Sequence, residues 1–365
     1  MKSYGCDKIL LATVIALSVF GLIIISSVSV VVSYNNFGYN HYYLFHQFLY
    51  GFLPGIILLF FLQKTDYRLF KKHALFFLII TLILLLIVFV PGLGFGLKGA
   101  NRWIEIAGIS FQPSEFIKLT FILYLAAWLE KNKKNAKDFS NLLIPFVAVV
   151  LIIAIPLIMQ PDVSTLSIIV LTAVIMYFVS GTKISHIFAL VAGGLAGLFL
   201  LVQIAPYRMN RFMVFMHPEI DPQGIGYQIN QALLALGSGG IFGLGFGRSR
   251  QKFNYLPEPI GDSIFAVTGE ELGIIGLFIL MTLFFIFALR GFKIASKAPD
   301  NFGKFVAVGI TSWITFQALI NMAAITSLIP LTGIPLPFIS YGGSALITSL
   351  VGVGVLLNIS RYGRN

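Results

Sequence analysis

Charge is scarce in this 365-residue chain, where Asp, Glu, Lys and Arg make up only 11%, against about a quarter in an ordinary soluble domain. Cysteine occurs once, as Cys6, which excludes an internal disulfide framework. The five histidines (His41, His46, His73, His186 and His217) show no metal-ligand spacing, so no zinc site is expected. No linker or low-complexity tract divides the chain, and residues 1–365 read as a single domain. The 25 Lys and Arg exceed the 14 Asp and Glu. These bases are scattered over short segments and form no stripe or aromatic-interleaved patch, so nucleic acid is not an expected partner.

What is abundant is apolar surface, at 58% of residues. Apolar runs near the roughly 20 residues that cross a bilayer as helix fall at about 8–32, 43–63, 73–91, 111–129, 141–159, 163–180, 185–205, 265–289, 305–327 and 338–359. The pattern predicts an all-α integral membrane protein of about ten transmembrane helices. The first run is longer than a signal-peptide core and has no clear small-residue cleavage site after it, so it reads as a retained span. Lysine and arginine set the orientation, because cytoplasmic loops retain positive charge. With the N-terminus inside, clusters such as Lys71/Lys72, Lys131/Lys133/Lys134/Lys137 and Arg290/Lys293/Lys297 are cytoplasmic. Outside the one long loop, the exterior segments carry only Lys98 and Arg102. Both termini are therefore expected in the cytoplasm.

The one long connection, residues 206–264, lies between the seventh and eighth runs and is expected outside. A connection of that length between membrane helices is usually functional or partly helical. Within it, Ile225, Ile229, Leu233 and Leu236 stand at helical spacing and predict a short helix near the outer interface. The pentapeptide GLGFG occurs at 92–96 and at 243–247, followed closely by Lys98 or Arg248. Glycine N–H groups beside a cation can cradle phosphate; flexible bends are the plainer reading. No strand pattern precedes either copy, so a dinucleotide-binding fold is excluded.

Three runs directed from outside to inside begin with an acid: FQPSEFIK, QPDVST and IGDSIF. Proline suits the first helical turn, and an acid there meets the positive end of the helix dipole. Glu115, Asp162 and Asp262 are thus expected at comparable depth near the outer face. Lys118 lies three residues after Glu115, on the same helix face and about one turn deeper. An intramembrane lysine needs a partner or a polar cavity, with Glu115 the nearest candidate and Asp162 the next. Arg102, in KGANRWIEI, is explained as well by snorkelling as by phosphate binding. Glu270 and Glu271 fall roughly two turns beyond Asp262, where binding backbone groups and packing the bundle is the plainer role; Asp262 sits at the rim.

Taken together, the segments GANRWIEIAGISFQPSEFIKL, QPD, YRMNRFMVFMHPEIDPQGIGYQINQALLALGSGGIFGLGFGRSRQKFNYLPEP, DSIFAVTGEELG and PLTGIPLPFISYGGSALI resemble the SEDS family (shape, elongation, division and sporulation). This is the FtsW, RodA and SpoVE group of bacterial peptidoglycan glycosyltransferases, and the match covers most of the chain. It departs from the family pattern at Val163, Ser164 and Thr165, where the family usually has x-Gly-Thr. Another departure is Gly261, Asp262 and Ser263, where it often has Thr-Asp-Phe. The resemblance implies ten membrane helices, a large exterior loop after the seventh, and polymerisation of lipid II at the outer face of the cytoplasmic membrane. By similarity Asp262 is the general base on the acceptor 4-hydroxyl. Lys118, Arg102, Arg208 and Arg211 are candidate cations for the departing pyrophosphate; Lys118 is the one expected to meet it, with Glu115 and Asp162 orienting it. A divalent cation, Mg or Mn, could assist. Implied partners are a class B penicillin-binding transpeptidase and other divisome or elongasome proteins. Two other readings stay open from the sequence: a lipid II flippase, and a non-catalytic division scaffold.

Overall fold

In the computed structural model, which describes residues 5–97, 100–106, 109–133, 138–204, 206–217, 221 and 224–363, each of the ten apolar runs is helical. Helix α1 (Lys8–Val28) passes through Ser29 into the short α2 (Val30–Phe37). The second span, Tyr42–Lys64, is assembled from α3 (Tyr42–Gln47), a π-helical turn at Phe48–Phe52 and α4 (Leu53–Lys64). A second π-helical turn, Phe139–Leu143, leads into α7 (Ile144–Met159). In both places a proline follows, Pro54 or Pro145, whose missing N–H interrupts the regular hydrogen-bond ladder. The remaining spans are α5 (Arg68–Ile87), α6 (Pro113–Lys131), α8 (Val163–Val179), α9 (Ile184–Ile204), α12 (Ile264–Lys297), α13 (Asn301–Ile325) and α14 (Gly343–Tyr362).

Eight of the ten are long and apolar enough to cross a membrane outright. The other two are α8, at 17 residues, and α6, whose 19 residues include Glu115, Lys118, Glu130 and Lys131. The chain is a multi-pass membrane protein. Its centre is α13, which packs on α12, α8, α6 and α14, while α14 lies against α4. Helix α9 instead exposes Ile184, Phe188, Leu195, Phe199 and Ile204 along its length, a surface suited to lipid.

Among the described residues there is one departure from an all-helical build. Between α5 and α6 stands an antiparallel sheet of β1 (Gly94–Leu97), β2 (Ala100–Ile106) and β3 (Ile109–Phe111), in that order. Phe95 faces Trp103, and Ile104 faces Phe111. Ile104 is buried and Glu105 exposed, the alternation of a half-buried strand. The first GLGFG thus runs into a paired strand, and a phosphate cradle there is not what its backbone builds. Lys98 lies outside the described residues.

The long connection contains α10 (Pro206–Met216) and α11 (Ile225–Gly239), the latter where helical spacing placed it. The second GLGFG follows, with left-handed φ at Gly243, Gly245 and Gly247. These are bends, but tightly held ones: the N–H groups of Leu244 and Gly245 donate to the carbonyls of Glu270 and Glu271 at 2.9 and 3.0 Å. They are not open to phosphate. The same contact breaks α12. Gly273 adopts φ 66°, and a Cβ there would meet Gly243 N at 2.3 Å and Ile241 O at 2.5 Å. Ile274 and Ile275 instead donate to Gly240 O and Ile241 O. Glu270 and Glu271 therefore close a separate short helix that begins at Ile264, where the sequence implied one continuous span.

Candidate active site

The end of the bundle that carries the sheet and α11 also gathers the acids. Asp262 lies in a tight turn opened by Glu258, whose φ of 48° is left-handed for a non-glycine residue. The Glu258 carbonyl accepts the N–H groups of Gly261 and Ser263 at 3.1 and 3.3 Å. Neighbours hold the turn's other carbonyls: Tyr341 N–H donates to Ile260 O at 2.9 Å, Ser340 Oγ to Gly261 O at 2.7 Å, and Asn321 Nδ2 to Asp262 O at 2.9 Å. Gln228 of α11 donates to Ser263 Oγ at 3.1 Å.

With its main chain so fixed, the Asp262 carboxylate keeps one oxygen unengaged. Its Oδ1 is buried and has no hydrogen-bond partner. Burial, and then the charge of Glu258, push its pKa from the ordinary aspartate value up to about 6; Arg211 and Gln228 oppose the shift. A carboxylate poised near neutrality is a stronger base than an ordinary aspartate and is still ionised at physiological pH.

The expected substrate cations are placed differently from one another. Arg211 of α10 is close enough to Asp262 to act on its charge, and its Nη1 donates to Leu331 O at 3.3 Å. Arg208 donates to Leu201 O at 2.9 Å. Arg102 reaches from β2 to the corner before α8, with Nε donating to Gln160 O at 3.0 Å and Nη2 to Pro161 O; it braces the QPD turn. Lys118 is only 2% exposed. Its Nζ pairs with Glu115 Oε2 at 2.8 Å, as expected, and donates to Gln317 Oε1 at 2.9 Å, with the Trp313 ring centred 5.1 Å away. The expectation that Asp162 helps to orient Lys118 is not met. Asp162 Oδ1 caps α8 through Thr165 N–H at 3.3 Å, and its buried Oδ2 has no partner.

Glu270 and Glu271 have no such freedom. Glu270 accepts Ser249 Oγ and the N–H groups of Arg250 and Gln251. Glu271 accepts Ser27 Oγ of α1 at 2.7 Å and Lys252 Nζ at 2.9 Å. Their expected role in holding backbone and bundle is what these contacts do. Sequence reasoning missed Lys252 as the buried counter-ion, and Gln317 and Asn321 as polar contacts of the site. The signal for the last two was present: polar residues four apart in an otherwise apolar span are expensive unless they face protein.

The description "Cell cycle protein" belongs to the FtsW/RodA/SpoVE family model that matches residues 7–365. Stage V sporulation protein E of Bacillus subtilis (strain 168) is 43% identical over 363 residues, covering 100% of this chain and 99% of that protein. A probable peptidoglycan glycosyltransferase FtsW of Trichlorobacter lovleyi is 41% identical over 356 residues, covering 97% and 93%. Among solved structures, a chain from work on the structural coordination of polymerization and crosslinking by a peptidoglycan synthase complex superposes with TM-score 0.80 at 25% identity, covering 98% of both chains. The rod shape determining protein RodA of Thermus thermophilus gives 0.72 at 26% identity, again over 98% of both.

Proposed function

The chain belongs to the FtsW/RodA/SpoVE family, and we propose that it is a peptidoglycan glycosyltransferase that polymerises lipid II, with Asp262 as its general base. The observation that carries the reading is the Asp262 carboxylate: fixed through its backbone, without a hydrogen-bond partner at Oδ1 and pushed toward neutrality. Relatives matched over nearly the whole chain and named probable peptidoglycan glycosyltransferases support the activity. The distribution of Lys and Arg supports both termini in the cytoplasm and the Asp262 end at the outer face of the cytoplasmic membrane.

In the reaction, the ionised Asp262 takes the proton of the acceptor sugar 4-hydroxyl as its oxygen bonds to the donor's anomeric carbon. The bond from that carbon to the polyprenyl pyrophosphate breaks, and the pyrophosphate leaves with the bonding electron pair. Negative charge growing on it is met by a cation already in place. Arg211 suits this role because it is the base within electrostatic reach of Asp262. Among the described residues no group of three or more His, Cys, Asp or Glu is placed to hold a metal ion; a divalent cation, Mg or Mn, would instead be held by one or two carboxylates together with the pyrophosphate itself, where it would offset the growing charge. Similarity to a chain of a peptidoglycan synthase complex supports a class B penicillin-binding transpeptidase as partner, within a division or elongation assembly.

Glycan synthesis from purified lipid II, by wild type and Asp262→Asn, with and without the cognate transpeptidase, tests the reading. Product from the wild type and none from a folded Asp262→Asn protein is expected. Equal product from both removes Asp262 as base; lipid II movement across vesicles without glycan makes the chain a flippase.

A further inference from the structure

The segment Pro330–Gly342 between α13 and α14 forms no helix or strand, and its prolines at 330, 335 and 337 cannot donate to a ladder. Its carbonyls must be satisfied some other way. Five side chains from four helices do this, one carbonyl at a time. Arg211 of α10 holds Leu331 O at 3.3 Å, and Ser164 of α8 holds Thr332 O at 2.6 Å. Asn321 and Gln317 of α13 hold Ile334 O at 2.7 Å and Pro335 O at 3.0 Å. Gln47 of α3 reaches Ser340 O at 3.4 Å. The strap in turn grips the Asp262 turn through Ser340 Oγ and Tyr341 N–H.

Gln317 is where this strap meets the buried charge pair. Its Oε1 faces Lys118 Nζ and Trp313 Nε1, each at 2.9 Å. Both are donors only, so the atom facing them must be the amide oxygen, and Nε2 is thereby aimed at Pro335 O. Lys118 therefore fixes which way the amide points. To touch a phosphate, the same Nζ would have to leave Glu115 and Gln317 and come out of a site where it is 2% exposed.

We propose that Gln317 is a positioning residue for glycan polymerisation, through which Lys118 acts on Asp262 by way of the Pro330–Gly342 strap, without contacting the lipid-linked pyrophosphate. This rests on the function proposed above.

The test compares wild type, Lys118→Met, Gln317→Met, the double variant, Gln317→Glu and Arg211→Met. It reads polymerisation rate on lipid II, equilibrium binding of polyprenyl pyrophosphate, and thermal stability in detergent. Lys118→Met and Gln317→Met should each lower kcat about ten-fold or more, with pyrophosphate binding within about two-fold of wild type. The double variant should be no slower than the slower single, as for residues acting as one unit. Gln317→Glu keeps an acceptor for Lys118 and Trp313 but loses the donor to Pro335, and should be as slow as Gln317→Met. Arg211→Met should weaken pyrophosphate binding. The proposal is overturned if Lys118→Met weakens pyrophosphate binding about ten-fold while Gln317→Met does not, or if the two rate effects multiply. Should Gln317→Met fail to fold, a wild-type rate in Gln317→Glu overturns it alone. A wild type that binds polyprenyl pyrophosphate yet never makes glycan sinks the function itself, and this inference with it.

Discussion

Two groups of carboxylates lie within ten residues of each other, and the fold treats them in opposite ways. Glu270 and Glu271 are each 1% exposed and accept hydrogen bonds from Ser249, Arg250, Gln251, Ser27 and Lys252. Asp262 has its main chain held on every side, while Oδ1 of its side chain is buried without a partner. A carboxylate with all its lone pairs engaged is a structural part, since a proton arriving there must displace a bond. One that is fixed in place and left unsatisfied carries an unmet demand that a substrate hydroxyl can fill.

The sharpest way to break the comparison is to neutralise one member of each group. Asp262→Asn should keep the fold and lose about 10²- to 10⁴-fold in polymerisation rate, the usual share of a positioned base. A purified, monodisperse Asp262→Asn protein that polymerises at the wild-type rate would erase the distinction. Glu271→Ala should do the reverse and act first on stability. It leaves Lys252, 4% exposed, as a buried cation without its counter-charge, a loss of about 3–5 kcal/mol when one partner of a buried pair is removed. Thermal unfolding in detergent reads this. Adding Lys252→Met should recover part of the loss, because the stranded charge goes with it; no recovery would mean that the carboxylate's other contacts dominate.

A smaller stability effect tests what brings the two glutamates to the end of their helix. Gly273→Ala places a Cβ against Gly243 N and Ile241 O and requires alanine at φ 66°. Strain of this kind costs about 1–3 kcal/mol, and the clash adds to it unless the 240–245 loop moves. A melting temperature equal to wild type would show that the loop does not fix the break. Gly273 also marks the limit of what the sequence tells. The ten apolar runs were legible because lipid demands about 20 apolar residues per span, and the helix at 225–239 because its apolar residues keep helical spacing. A glycine inside an apolar helix is locally tolerable. The contact that forces φ 66° comes from residues some thirty positions earlier, which no local pattern displays. The sheet between α5 and α6 was missed because its outer strands, β1 and β3, have only four and three residues, and in β2 only the apolar–charged step from Ile104 to Glu105 hints at it. In the site, the Glu115–Lys118 pair was readable from position in a helix start, whereas Asp262 was singled out as a base by family resemblance. Arg102's hold on Gln160 and Pro161, and the strap's dependence on Gln317, arise from helices that meet only in three dimensions.

The smallest expected effect asks why Asp262 is poised. Burial is the larger cause of its raised pKa and the charge of Glu258 the lesser; the opposing charge is Arg211 of α10. Glu258 shares a turn with Asp262, and a Cβ on Gly261 would lie 3.8 Å from Glu258 Oε2, so the Glu258 carboxylate is folded back over the residue before Asp262. Asp262 works as a base only when ionised, so with its pKa at about 6 the wild-type rate should fall as pH drops through that value. Glu258→Gln removes a like charge, which favours the ionised form and lowers the Asp262 pKa. The acid limb of the rate profile should therefore move to lower pH, raising the ratio of the rate at pH 5.5 to that at pH 8. Because burial remains, the limb should stay above the ordinary carboxylate range. A limb that stays where it is, or moves upward, would mean that Glu258 does not act on the base and that burial alone poises Asp262.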